Sequence, residues 1–227
     1  MQTKLIGGGT AGLAGVELGI DPTFQAARIC ARPLDYAALG QVLGHYRVAG
    51  ATGALTVLSA GNPFFSFRWA NANAYAVVQQ IKMSGAITTA FGAAQVNDID
   101  MILARSFTAS DTGGTALTPT GNTGKMRTSM GTTQVADIRI STTGTLTAGT
   151  RTLDGQVVWN GLYATGNTAV TGSVVDDVIY EPDLGAGQHP VVLGQNEGFV
   201  LRVVTTMGAT GVVKIAISVK WAEVVVF

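Results

Sequence analysis

The strongest constraint on the fold is the run GVVKIAISVKWAEVVV at residues 211–226, in which side-chain character alternates with a period of two. Ile215, Ile217, Val219 and Trp221 fall on one side, and Lys214, Ala216, Ser218 and Lys220 on the other. That period places successive side chains on opposite faces of a β-strand, one toward a core and the other toward water or a partner. In EGFVLRVVTT (197–206), Phe199, Leu201 and Val203 likewise share a side opposite Arg202. Further β runs are read at 54–60, 63–70, 75–89, 96–107, 134–140, 155–164 and 173–181, closed by turn chemistry such as Gly61-Asn62-Pro63 and Asn71-Ala72-Asn73. Eight or nine strands result. Helical periodicity of useful length is missing, so the reading is all-β: two antiparallel sheets in a jelly-roll-like β-sandwich.

Residues 1 to about 50 lack this alternation. They are read as an extended or partly helical glycine-rich N-terminal arm that makes assembly contacts, leaving 51–227 for the sandwich. Within the sandwich, TASDTGGTALTPTGNTGKMRTSMGTT at 108–133 is a long loop insertion between two strands. Loops this long tend to be functional or flexible.

The N-terminal segment GGGTAG (7–12) fits the dinucleotide pattern G-x-G-x-x-G, with Leu5 and Ile6 in front. In that pattern Gly7 makes the turn, Gly9 admits the pyrophosphate and Gly12 seats a helix whose amides hold the phosphates. Here Gly15, Gly19 and Pro22 interrupt the following window. Each interior Gly costs a helix roughly 1 kcal/mol and a Pro about 3. Asp21 and Asp35 straddle the ribose-binding position without ending a second strand, so no cofactor-binding residue is assigned.

No catalytic or metal-binding residue is assigned either. His45 and His189 have no carboxylate at ligand spacing, and a structural or exposed role is favoured. Asp98 and Asp100, two apart in a strand, share a side as an acid/base pair or calcium site requires, but no Asp-rich loop surrounds them. They are read as acids on a solvent face. Asp176-Asp177 and Glu181-Pro182-Asp183 are further acids; a glycosidase pair needs carboxyls roughly 5 to 9.5 Å apart. No G-x-S-x-G elbow or P-loop occurs. The single cysteine, Cys30, excludes an intramolecular disulfide framework and reads as a small buried apolar residue. Among aromatics, Trp221 is read as core, Trp159 lies in a β run, and Trp69 and Tyr75 flank a turn at a sandwich end, where packing is favoured over sugar binding.

The charged fraction is 12%, about half the usual quarter, and the formal net charge is zero. With no basic stripe interleaved with aromatics, direct nucleic-acid binding is not expected. Nor is a membrane span, since no stretch approaches ~20 apolar residues. The N-terminus lacks a charged region followed by an apolar signal core, so a cytosolic product is expected. A surface poor in charge and rich in Ala, Thr and Gly suits one covered by neighbours, because interface cores are depleted in charge.

The segments GHYRVAGATGALTVLSAGNPFFSFRWA, ITTAFGAAQVNDIDMILARSFTAS, ADIRISTTGTLTAGTRTLDG and YEPDLGAGQHPVVLGQNEGFVLRVV resemble tailed-bacteriophage virion proteins of the head decoration (cement) or head fibre type. The opening GGGTAGLAGVELGIDPTFQAARICARP is similar to the glycine-rich arms that precede such domains. The resemblance carries over no functional residue. It implies a β-sandwich made in the host cytoplasm that sits on the virion, binds the major capsid protein from outside, stiffens the shell and associates with copies of itself, a trimer by analogy. The alternative is a tail or head fibre binding host-surface glycans. An enzyme, flavin-dependent through GGGTAG or glycan-cleaving through the acids, ranks third.

Overall fold

The computed structural model describes residues 42–227 apart from 57, 94, 166–171, 184–187, 209 and 226. GGGTAG, Cys30 and most of the expected arm lie outside the described residues. In chain order the strands are β1 (Val42–Ala51), β2 (Pro63–Trp69), β3 (Tyr75–Thr89), β4 (Gln95–Arg105), β5 (Thr115–Ala116) and β6 (Asp137–Ile140). They continue with β7 (Thr152–Thr165), β8 (Gly172–Tyr180), β9 (Val192–Leu193), β10 (Glu197–Val203) and β11 (Val212–Val224). No helix occurs among the described residues.

Among the described residues every strand pairing is antiparallel. Sheet I runs β1-β11-β3-β8 with β9 beside β3, and sheet II runs β5-β6-β2-β10-β4-β7. The first strand pairs with the last, and the chain changes sheet at each main connection except β4 to β7, which stay neighbours. The orders 1-11-3-8 and 2-10-4-7 are those of a jelly roll, as expected from the alternating runs.

The sheets meet through aromatic side chains. Phe67 of β2 stacks on Phe199 of β10 at 5.2 Å and meets the edge of Trp221 of β11 across the sandwich, also at 5.2 Å. Tyr46 of β1 stacks on Trp221 at 5.7 Å. Ile215, Ile217, Val219 and Trp221 are all buried in this core, as are Phe199, Leu201 and Val203. Offset and edge-on aromatic pairs add roughly 0.5–1.5 kcal/mol each beyond their area burial.

Two boundaries differ from the sequence reading. Residues 42–50, read as the end of the arm, form β1 and pair with β11 from Val42↔Val224 to Ala51↔Ala216. Of residues 54–60, read as a strand, the described ones contribute only a single bridge from Leu55 to Val213. Leu55 and Leu58 are both fully buried. They stand three apart, so a strand of period two cannot put both in one core; the segment is held instead by the Leu55–Val213 bridge and by the Met207 amide donating to Leu58 O at 3.0 Å.

The 108–133 insertion is an ordered strap. Its first half lengthens sheet II: β5 pairs with β6, and the Leu117 amide donates to the Ile138 carbonyl at 2.8 Å. Its second half crosses to sheet I and runs beside β1. There the Arg47 amide donates to Gly124 O at 2.7 Å and the Met126 amide to His45 O at 3.0 Å. The strap thereby satisfies backbone groups that an edge strand otherwise offers to other chains.

Candidate functional site

The acids singled out in sequence separate in the fold. Asp98 and Asp100 do share the outer face of sheet II, but the expectation that both face solvent fails for Asp100, which is 1% exposed. Arg202, opposite it on β10, clamps it: Nε donates to the two carboxylate oxygens at 2.9 and 3.0 Å and Nη2 donates to Oδ2 at 2.8 Å. Asp98 accepts from Asn160 Nδ2 at 2.5 Å. Asp177, on β8, and Glu181 and Asp183, beyond it, are exposed on the margin of sheet I. His45 is buried with Nδ1 3.3 Å from Gln79 Oε1, and His189 has Nδ1 2.7 Å from its neighbour's carbonyl, Pro190 O. No group of three or more metal-ligating side chains converges among the described residues. Trp69 and Trp221 are fully buried, while Tyr75 is exposed.

Sheet II consumes its own cations. Arg151 pairs with Asp111, both buried, and its guanidinium lies 5.1 Å from the centroid of Phe107. Burial lowers the Arg151 pKa, and the nearby Arg202 charge lowers it further. Arg68 donates to the carbonyls of Phe107 and Thr108 at 2.7 and 2.8 Å and to Ser110 Oγ at 3.2 Å. Arg105 pairs with Glu197 and Asp154, and Arg139 with Asp137. The Arg68 and Arg151 contacts fasten residues 107–111 over the outer face of sheet II.

A third buried carboxylate anchors the strap to sheet I. Glu223, fully buried on β11, accepts from Trp221 Nε1 at 3.0 Å, from the Gln134 amide at 3.1 and 3.0 Å, and from the Thr133 hydroxyl. Burial raises its pKa against the effect of those donors. Tyr46 donates from its hydroxyl to Gly131 O at 3.0 Å, and burial followed by the Glu223 charge pushes its pKa up to about 12.

With the strap fixed in this way, the outer face of sheet I is open and cationic. Arg47 on β1 stands directly opposite Lys220 on β11. Lys220 stands opposite Gln80, and the next outward row pairs Ser218 with Lys82. Arg47, Lys82, Lys214 and Lys220 are exposed, and none forms an ion pair with a described residue. Lys125 and Arg127 continue the cations along the strap, bonded only to Asn122 and Ser129. Two shallow depressions cross this surface: one of about 400 Å³ between strap and sheet, lined by Arg47, Thr118, Gly124 and Lys220, and one of about 430 Å³ over Ala49, Lys82 and Ser218.

Like charges directly opposite on neighbouring strands destabilise the pair by tenths of a kcal/mol up to about 1. The Arg47–Lys220 arrangement therefore favours an anionic neighbour. The alternation in 211–226 already put Lys214 and Lys220 on an outward face. Arg47 and Lys82 were invisible as their companions, because register between distant strands is not written in local pattern.

No protein family, curated protein or solved structure matches the chain.

Proposed function

We propose that this chain is a structural virion protein that binds the major capsid protein on the outside of a bacteriophage shell, stabilises the shell, and acts as an assembly of copies. One observation carries the reading: the division of charge between the sheets. In sheet II Arg105, Arg139 and Arg202 pair with acids and Arg68 is bonded to carbonyls and a hydroxyl, whereas the exposed cations of sheet I pair with no described acid and stand on a broad open face crossed by shallow depressions. A surface of that kind suits contact with other protein surfaces better than enclosure of a small substrate. Exposed Val96, Leu162 and Val204 around Asp98 on the outer face of sheet II add apolar area of the same use. The family resemblance supplies the shell as the partner.

The stabilising logic is mass action. A protein that binds the assembled shell and not its separated subunits adds its binding free energy to the shell's resistance to rupture. The test is co-sedimentation of the purified chain with mature shells stripped of accessory proteins. Saturable binding at a fixed ratio to the capsid subunit is expected. Folded protein that stays in the supernatant at all concentrations overturns the proposal.

A further inference from the structure

The unpaired cations have a counterpart on the same molecule. Strands β1, β3 and β11 and residues 112–135 together contain one acid, Glu223, and it is buried among its own donors. The exposed acids of sheet I lie instead at its far margin, with Asp177 on β8 and Glu181 just past it. Glu181 accepts a hydrogen bond from Gln80 at 3.0 Å, and neither acid pairs with a described cation. Sheet I is thus positive across β1, β11 and β3 and negative at β8, in a chain of formal net charge zero.

We infer that the outer face of sheet I around Arg47 and Lys220 is a docking surface for a second copy of this chain, and that its occupant is the β8 margin carrying Asp177 and Glu181. The contact relieves the like-charge pair on one copy and gives the acids of the other a partner. It is made by side chains, because the strap already occupies backbone groups of β1 at His45 and Arg47. The two copies use different surfaces, so the contact is head-to-tail and either closes into a ring or continues as a chain. It rests on the reading of the protein as an assembly of copies and deepens it by naming the contact.

The experiment is light scattering of the full chain and three variants in low salt and in about 0.5 M salt, where exposed ion pairs are strongly screened. The wild type is expected above the single-chain mass of 23.3 kDa in low salt and to fall toward it in high salt. Arg47→Glu with Lys220→Glu, and separately Asp177→Lys with Glu181→Lys, are each expected to leave single chains. The variant carrying all four reversals is expected to regain the wild-type mass, which also shows that the single-sided variants fail through charge and not through misfolding. A wild type that is a single chain in low salt, an assembly indifferent to the reversals, or no recovery in the fourfold variant overturns the inference. Shell co-sedimentation reads attachment and not this contact, so absent shell binding leaves the contact standing; an assembly indifferent to the reversals overturns the contact alone, and a single-chain wild type overturns the contact together with the reading as an assembly.

Discussion

Asp98 and Asp100 show what a single residue's surroundings add to its sequence. Both project from the same face of β4, yet one bonds to Asn160 and the other is buried under Arg202. The side they share follows from the period of two; the partner depends on β10 lying next to β4, which a local pattern does not encode. Glu223 is a stronger case, since it reads as one polar break near the end of an apolar run. In the fold it gathers donors from Trp221, Thr133 and Gln134. Its pKa lies above the ordinary 4.5 because burial outweighs those bonds. A carboxyl raised in the folded state contributes stability that is fully present below its unfolded value and is lost as pH rises through the folded value. Wild-type stability is therefore expected to fall relative to Glu223→Gln across that window, read as the difference in urea midpoint at successive pH values. A difference that does not change with pH removes the linkage.

At the scale of elements, β2, β3, β4, β6, β7, β8, β10 and β11 were legible because each is a run bounded by turns. β1 was not, since VLGHYRVAGA breaks its alternation with Gly44 and Gly50, and its identity comes from pairing with β11. The insertion was legible as a long segment, but its work was hidden, because a loop that covers an edge leaves no periodic mark. Its contact with β1 depends on Gly124. That residue has φ +71°, and a Cβ there would stand 2.7 Å from the Arg47 carbonyl. Gly124→Ala is expected to lose about 1–2 kcal/mol, the cost of a left-handed conformation for a residue with a Cβ, and to lift the strap from the edge. Hydrogen exchange supplies the local readout. The Arg47 amide, which donates to Gly124 O, is expected to lose protection while amides in the centre of β10 keep theirs. Uniform loss across both sheets instead means that the strap and the sandwich unfold as one unit.

At the scale of the molecule, the start of β1 at Val42 decides where the chain can be cut. A cut before residue 42 leaves every described strand in place, whereas a cut after residue 51 removes β1, whose Tyr46 stacks on Trp221 and whose backbone receives the strap. Emptying a core site of one large aromatic side chain alone costs roughly 3–5 kcal/mol. Against the 5–15 kcal/mol of total stability usual for a domain, that loss together with nine cross-strand partners is decisive. The chain 42–227 is therefore expected to unfold cooperatively with a Tm close to that of the full chain, and 52–227 to lack a cooperative transition. The same pair of truncations separates folding from attachment. If residues 1–41 provide the hold on the shell, 42–227 stays folded but remains in the supernatant when mixed with stripped shells. Full occupancy of shells by 42–227 assigns attachment to the sandwich itself, and the open faces of its two sheets then become the surfaces to mutate.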